Sequence, residues 1–406
     1  MLHDVVVVGA SLAGLRAVEA LREEGYDGRL TVIGAEAHLP YDRPPLSKQV
    51  LAGTWEPDRT ALHPIGTTYD ELAVDWRLGQ PAASLDLATR EVVLADGTAV
   101  GYDGLVLATG SVVRRLPGQP DHAGMHVLRT LEDCLALKAD LDAGPSRVVV
   151  VGAGFIGAEV AATARGMGLE VTVLEALPVP LQRGLGDRMG MVCAEIHRDH
   201  GVDLRLSAGV DGFDADGSGR VQRVRLADGS AIESEVVVVG VGVAPATAWL
   251  EGSGLSIDNG VVCDATCLAA PGVVAAGDIA RWHNRRFDEV MRLEHWENAQ
   301  EQGAHVARRL LAGDAATVET HAYEPVPWFW SDQYDRKIQV AGRTSADAEV
   351  VVVEGSLEER RFVALYGRAG RVVGVLGMNR PAHVMRWRAA IIDGIGWDDA
   401  LASVDS

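Results

Sequence analysis

The chain has 406 residues, 48% of them hydrophobic and 23% charged, with a formal net charge of −20. That length is too great for one hydrophobic core and predicts two or three domains. The negative charge argues against a nucleic-acid partner, which needs a basic surface, and keeps the chain soluble.

The first element is the run Asp4-Val-Val-Val-Val, followed by Gly9-Ala-Ser-Leu-Ala-Gly14 and an Ala-rich stretch suited to a helix. A second apolar β-branched run, Leu30-Thr-Val-Ile-Gly34, completes a strand–helix–strand unit. Glu91–Gly97 and Gly104–Gly110 are further strand candidates that end in turn signals. The same order then recurs: Arg147-Val-Val-Val-Val, Gly152-Ala-Gly-Phe-Ile-Gly157, Glu170–Glu175, Val224–Gly229 and Glu235–Gly240. Fully apolar strands imply parallel sheets covered on both faces. The expected fold class is therefore α/β, with two Rossmann-like dinucleotide-binding domains.

After Pro325 the texture changes. Aromatics gather at Trp328, Phe329, Trp330 and Tyr334, and alternating strand patterns follow in Lys337–Gly342, Glu349–Glu354, Arg361–Tyr366 and Arg371–Met378. A helix is predicted from Pro381 to Asp393. These make a third, C-terminal α+β domain. Met1-Leu2-His3-Asp4 lacks a basic region ahead of an apolar segment, and no run approaches the roughly 20 apolar residues that span a bilayer. The reading is a cytoplasmic protein with no membrane association. Cys134, Cys193, Cys263 and Cys267 are too sparse for a disulfide framework and have no metal-ligand spacing, so no metal is expected.

In the second unit Gly152, Gly154 and Gly157 form a complete GxGxxG between a strand and a helix. The first glycine permits a tight turn, the second lets backbone approach a pyrophosphate, and the third lets helix pack on strand. The helix start offers free N–H groups to the phosphates, which brings Phe155 and Ile156 into the binding turn. Glu175, at the end of the next strand, suits a ribose diol and repels a 2′-phosphate, so NADH is expected over NADPH. The first unit departs from this pattern: Gly9 and Gly14 frame Ser11, with Leu12 and Ala13 opening the helix. Ser is small, though more restricted in φ than Gly. Gly34 stands at the strand-end position where an acid often sits, which leaves Glu36 as the candidate ribose acid. Two dinucleotide sites in one chain point to one exchangeable nicotinamide and one resident flavin.

Tyr41-Asp-Arg-Pro-Pro-Leu-Ser-Lys48 resembles the segment that follows the first ribose acid in FAD-dependent ferredoxin reductases, the putidaredoxin reductase type and the reductase components of aromatic-ring dioxygenases. Ala108-Thr-Gly110, Gly152–Glu159, Gly242–Thr247, Ala276-Gly-Asp278, Glu294-His-Trp-Glu-Asn-Ala299 and Pro327–Gln333 match in the same order. The resemblance covers nearly the whole chain. It implies a glutathione-reductase-like fold: an FAD domain over 1–112 and 246–322, an NADH domain over 113–245 and a C-terminal domain over 323–406. It also implies roles for individual residues. Arg43 and Lys48 would lie along the flavin, with Glu159 ion-paired to Lys48 across the nicotinamide pocket. Ala108, Thr109, Gly110, Gly277 and Asp278 would contact FAD, and Gly242 would sit at the return crossing. The helix opening at Glu294-His295-Trp296 would aim its positive end at the flavin, and Trp330 would pack against it. Each residue also has an ordinary reading: Lys48 a loop lysine, Glu159 a helix surface acid, Asp278 a turn residue, Trp330 core packing, and His295 a structural histidine.

Relatives of this fold that pass electrons to thiols carry a cysteine near the flavin, and this chain has none before Cys134. An external acceptor is therefore implied. The resemblance makes it a 2Fe–2S ferredoxin serving a cytochrome P450 or a ring-hydroxylating oxygenase. Rubredoxin or another one-electron carrier is the alternative acceptor. A redox-sensing protein resembling apoptosis-inducing factor is the alternative from a different class. Such ferredoxins are usually acidic, and Arg281, Arg285, Arg286 and Arg292, extended by Arg308, Arg309, Lys337 and Arg343, form a candidate basic docking patch; a solvated arginine-rich face explains the same residues.

Overall fold

The computed structural model describes residues 2–63 and 69–404. They form two compact units, each discontinuous in sequence.

The first unit comprises Met1–Asp42, Asp58–Val112 and Ala244–Pro327. Its main sheet has six strands in the order Leu268–Ala270, Val273–Ala275, Gly104–Leu107, Asp4–Val8, Arg29–Ile33 and Val74–Arg77. The central strand Asp4–Val8 runs parallel to both neighbours, with Val6 in register with Thr31 on one side and Leu105 on the other. Val5 through Val8 are all buried, as an unbroken β-branched run on a sheet covered on both faces demands. Each such side chain contributes roughly 1.5–3 kcal/mol on leaving water. Helices Leu12–Glu23 and Trp296–Ala312 lie against each other. Gly303 permits that approach, because a Cβ there would stand 2.4 Å from the Ala13 carbonyl oxygen. The same unit holds two small sheets, Ala82–Asp86 with Glu91–Leu94 and Ala99–Gly101, and Val261–Val262 with Ala280–Asn284 and Glu289–Met291.

The second unit comprises Arg43–Pro57, Val113–Val243 and Trp328–Ser406. A five-stranded parallel sheet runs Asp203–Arg205, Val171–Leu174, Val148–Val151, Val236–Val239 and Met125–His126. Beside it is an antiparallel sheet of Val210–Ala215, Val221–Leu226 and Ala231–Glu233. The C-terminal segment folds as a five-stranded antiparallel sheet in the order Trp328–Gln333, Arg336–Gly342, Arg371–Met378, Arg361–Arg368 and Glu349–Ser356, followed by helices Pro381–Ile392 and Trp397–Ala402.

The C-terminal sheet shares a core with helix Gln182–Asp199: Leu185, Met189, Cys193 and Ile196 pack with Phe362, Tyr366, Leu376 and Met378. The Tyr366 hydroxyl is buried there and donates to the Leu185 carbonyl at 2.9 Å. The α/β class, the doubled parallel sheets and the α+β C-terminal region are those expected from the sequence. Strand Trp328–Gln333 and helix Gln182–Asp199 are among the elements that were not read from it.

Candidate nucleotide-binding turns and a buried carboxylate

The two Gly-rich turns are built alike. Gly9 has φ +125° and Gly152 has φ +100°, values that Cβ-bearing residues rarely adopt. A Cβ on Gly9 would meet the Ala108 carbonyl oxygen at 2.0 Å, and one on Gly152 would meet that of Gly240 at 2.4 Å. Each glycine is thus packed against the end of the neighbouring strand. Gly14 and Gly157 serve the third role, since a Cβ on either would collide with the carbonyl oxygen of Gly9 or Gly152 at 1.9 and 2.2 Å.

The middle position is the N-cap of the following helix in both turns. Ser11 takes φ −125° and Gly154 φ −73°, and both are extended. Neither value requires glycine, so serine fits the first turn without backbone strain. A Cβ on Gly154 would have no neighbour within 4 Å among the described residues. Both turns present a helix start and backbone that a pyrophosphate can approach, so the residues fit a dinucleotide at each site.

Glu175 sits at the end of the strand paired with Val148–Val151 and turns back on the glycine turn. One of its oxygens accepts the Ala153 amide at 2.9 Å and the other accepts the Leu177 amide at 2.9 Å. In the first unit Gly34 leaves no room for an acid, because a Cβ would lie 2.7 Å from Ala10 Cβ. Glu36 stands close by, and the Tyr41 hydroxyl donates to its carboxylate.

Several other sequence-derived candidates meet within the first unit. Ala108 donates its amide to Val8, Thr109 donates its hydroxyl to the Ala246 carbonyl at 3.0 Å, and Gly110 accepts from the Ala246 amide at 2.9 Å. Asp278 accepts from the Ser111 hydroxyl at 2.6 Å. The Gly277 amide donates to Gln302 on helix Trp296–Ala312 at 2.9 Å. His295 is the N-cap of that helix, and Trp296 donates its indole N–H to Asp42 at 2.6 Å. Arg292 ties these pieces together, reaching the Asp278 carbonyl at 3.0 Å and the Glu294 carboxylate at 2.7 Å.

The second unit holds a different kind of site. Glu159 lies on helix Phe155–Gly166, is only 3% exposed, and carries three donors. Lys48 Nζ is 2.6 Å from its Oε2, the Ser47 hydroxyl is 2.5 Å from the same oxygen, and the Ser331 hydroxyl is 2.8 Å from Oε1. A buried carboxylate is tolerated only when paired and hydrogen-bonded in this way.

The segment carrying Ser47 and Lys48 is anchored from several directions. Thr163, one turn along from Glu159, donates to the Ser47 carbonyl at 2.7 Å, and the Cys134 thiol donates to the Leu46 carbonyl at 3.1 Å. Arg43 donates to the Arg129 carbonyl at 2.6 Å. Gly242, at φ +93°, accepts from the Arg114 amide at 2.9 Å. Trp330 lies on strand Trp328–Gln333 with its ring 5.4 Å from that of Trp328, while Phe329 of the same strand meets Phe155 edge-on at 4.9 Å.

The sequence reading did not single out Ser47, Thr163, Ser331 or Gln333. For the strand residues a signal exists: Phe329, Ser331 and Gln333 alternate onto one face, and small or amide residues on an inward face are placed for hydrogen bonding. Two arginines need correction. Arg309 is 7% exposed and donates inward to the Thr266 hydroxyl and the Gly313 carbonyl, so it is core and not docking surface. Arg292 has a side chain 11% exposed and is occupied as described above. Of the other arginines, Arg281 pairs with Asp258, Arg285 with Glu324 at 3.3 Å and Arg308 with Glu24 at 2.7 Å.

All four cysteines are free and buried. Burial pushes the Cys134 thiol up to about 11 and Cys193 and Cys263 to about 12, and raises Cys267 well above its ordinary value. Such burial disfavours the thiolate at all four. Among the described residues, no helix is long and apolar enough to cross a membrane, and no cluster of His, Cys, Asp and Glu could hold a metal.

Two mainly parallel sheets, each ending in a Gly-rich turn fit for a dinucleotide, define a two-nucleotide oxidoreductase architecture. The chain belongs to the pyridine nucleotide-disulphide oxidoreductase family, whose model matches residues 3–303. Residues 328–405 match a separate model described as reductase C-terminal. The chain is 39% identical to rhodocoxin reductase of Rhodococcus erythropolis over 95% of its own length and 88% of that protein's. It is 37% identical to the ferredoxin–NAD(+) reductase component of the anthranilate 1,2-dioxygenase system of Burkholderia cepacia, over 96% of this chain and 94% of that one. The reductase in the solved covalent putidaredoxin reductase–putidaredoxin complex matches with a TM-score of 0.91 at 32% identity, over 97% of this chain and 94% of that one.

Proposed function

We propose that this protein is an NADH-dependent, FAD-containing reductase that passes electrons to a 2Fe–2S ferredoxin serving a cytochrome P450 or a ring-hydroxylating oxygenase. The observation that carries this reading is likeness over nearly the full length to reductases whose names pair them with such carriers and oxygenase systems. Bound FAD supplies the needed chemistry, accepting a hydride and giving up electrons singly.

The roles of the chain's own residues follow. Gly9, Ser11, Leu12, Ala13 and Gly14 hold the FAD pyrophosphate at a helix start, with Glu36 on the ribose. Ala108, Thr109, Gly110, Gly277, Asp278 and the helix start at Glu294-His295-Trp296 line the rest of the flavin site. Gly152, Gly154, Phe155, Ile156 and Gly157 hold NADH, Glu175 selects against a 2′-phosphate, and Gly242 lies beside that site. Glu159 holds Lys48 in place. Arg43 supports the Lys48 segment.

The domain limits accompanying this reading are 1–112 with 246–322 for FAD, 113–245 for NADH and 323–406 for the C-terminal domain. Arg285 and Arg286 are the proposed docking residues for an acidic ferredoxin. Surface ion pairs such as Arg285–Glu324 contribute less than about 1 kcal/mol and can exchange partners.

The test is anaerobic titration of the purified protein with NADH, and separately with NADPH, following the visible flavin band. Bleaching by NADH and little by NADPH, followed by fast reduction of an added 2Fe–2S ferredoxin, is expected. A protein without flavin, or a flavin that NADH cannot reduce, removes the reading. Fast bleaching with slow delivery to every one-electron carrier favours a sensing role. Charge reversal at Arg285 and Arg286 that leaves ferredoxin reduction unchanged at low salt removes the docking assignment.

A further inference from the structure

Glu159 receives two of its donors from the loop it anchors, and the third from the C-terminal strand Trp328–Gln333. That third donor has its own support. Ser331 is fully buried, and Gln333 Nε2 lies 3.1 Å from its hydroxyl oxygen. The directions of these bonds follow from proton counting. A carboxylate only accepts, so the single Ser331 hydrogen goes to Glu159 Oε1. Ser331 must then accept from Gln333, which fixes the Gln333 amide with its NH₂ toward Ser331. The result is a one-way chain, Gln333 to Ser331 to Glu159, ending on the carboxylate that faces Lys48. Gln333 is also fully buried, so water does not compete for the chain.

We propose that Ser331, backed by Gln333, is a positioning residue for Lys48. With Oε1 held by Ser331, rotation of the Glu159 carboxylate about its terminal bond is blocked, and Oε2 stays aimed at Lys48 and Ser47. Without that hold the carboxylate turns, and Lys48 exchanges one fixed partner for several loose ones. Hydrogen bonds to an ionised group are the strong ones, and chains of them reinforce one another in a dry interior. The inference rests on the reading above only where it makes Lys48 act on the reacting nucleotides. The hold on Lys48 itself is independent of that.

The chain contains only three lysines, Lys48, Lys138 and Lys337, so amine labelling reports on Lys48 directly. The Lys48 side chain is 13% exposed against 27% for Lys138 and 43% for Lys337, and the latter two serve as internal references. The purified holoenzyme is treated briefly with limiting acetic anhydride, and each lysine peptide is quantified by mass spectrometry. In Ser331→Ala, Lys48 is expected to label about tenfold faster relative to Lys337, the scale of one charge-assisted hydrogen bond. Ser331→Thr restores the wild-type ratio, and Glu159→Gln gives the upper limit.

In the same variants the limiting rate of flavin bleaching by NADH falls about tenfold in Ser331→Ala with KM for NADH unchanged, since positioning affects turnover more than binding. If Ser331→Ala does not fold, Gln333→Met removes only the backing donor and is expected to show both effects at about threefold. Unchanged Lys48 labelling, or an unchanged limiting rate, overturns the proposal. A wild-type protein that NADH does not bleach removes the reductase reading and leaves the labelling comparison standing.

Discussion

The Glu175 carboxylate accepts the Ala153 amide at 2.9 Å, which joins the acid at the end of one strand to the glycine turn at the end of the next. The acid is therefore fixed before any nucleotide arrives, and a second amide, from Leu177, holds its other oxygen. A carboxylate fixed in this place would accept a ribose hydroxyl without rearrangement and would meet a 2′-phosphate with like charge. Glu175→Ala is expected to raise the NADPH-to-NADH ratio of kcat/KM by on the order of tenfold to a hundredfold, mainly through loss of NADH use. Steady-state reduction of an artificial acceptor with each nucleotide measures it, and an unchanged ratio rules out Glu175 as the selecting residue.

Arg292 makes a second prediction because of where it points. Its guanidinium spans the Asp278 carbonyl and the Glu294 carboxylate, joining the turn and the helix start that the proposed flavin site needs together. Arg292→Ala is expected to purify with substantially less flavin and to lose more on dialysis. Arg285→Ala, at a half-exposed position, keeps its flavin. The ratio of visible to ultraviolet absorbance after dialysis decides between them. Equal flavin content in the two variants would rule out Arg292 as a support of the flavin site.

Much of this architecture was legible in the sequence because it rests on local patterns. Val5–Val8 and Val148–Val151 read as buried parallel strands from their β-branched runs alone, and Gly9 and Gly152 as turns from the glycine after them. Helix Gln182–Asp199 was not legible. It contains Gly184, Gly186 and Gly190, and Gly186 interrupts it at φ +74°. What holds it is tertiary packing of Leu185, Met189, Cys193 and Ile196 on the C-terminal sheet, which no local propensity encodes. The Glu159 site was half legible. Lys48 and Glu159 came from the resemblance, but Ser331 is distant in sequence and meets them only through folding. Arg309 was misread because charge in a sequence carries no burial information.

Gly303 allows a direct test of the packing between helices Leu12–Glu23 and Trp296–Ala312. Alanine normally stabilises a helix interior by up to about 1 kcal/mol relative to glycine. Here the added methyl would stand 2.4 Å from the Ala13 carbonyl oxygen and 3.0 Å from Arg16 Cβ. The backbone oxygen cannot move aside without shifting a helix, so Gly303→Ala is expected to destabilise by about 1–3 kcal/mol. Thermal unfolding measures it, and a raised Tm would show that the helices are free to part.

His197 and His305 are expected to set an acid limit on stability. Burial lowers both to about 4, with His200 adding to the effect at His197, and His321, Arg308 and Arg309 at His305. His197 faces the Tyr334 hydroxyl at 2.9 Å, and His305 lies 3.2 Å from the Thr266 carbonyl. Above the unfolded value of about 6.5 both states are neutral and neither histidine contributes. As pH falls below that, the unfolded chain takes up protons that the folded protein refuses. Stability is therefore lost progressively down to about pH 4, where the loss levels off. Between pH 7 and pH 5 each histidine is expected to cost about 2 kcal/mol. Replacing both by glutamine should flatten the fall in Tm over that range. A double variant with the wild-type slope would mean that carboxylates, and not these histidines, govern the acid limb.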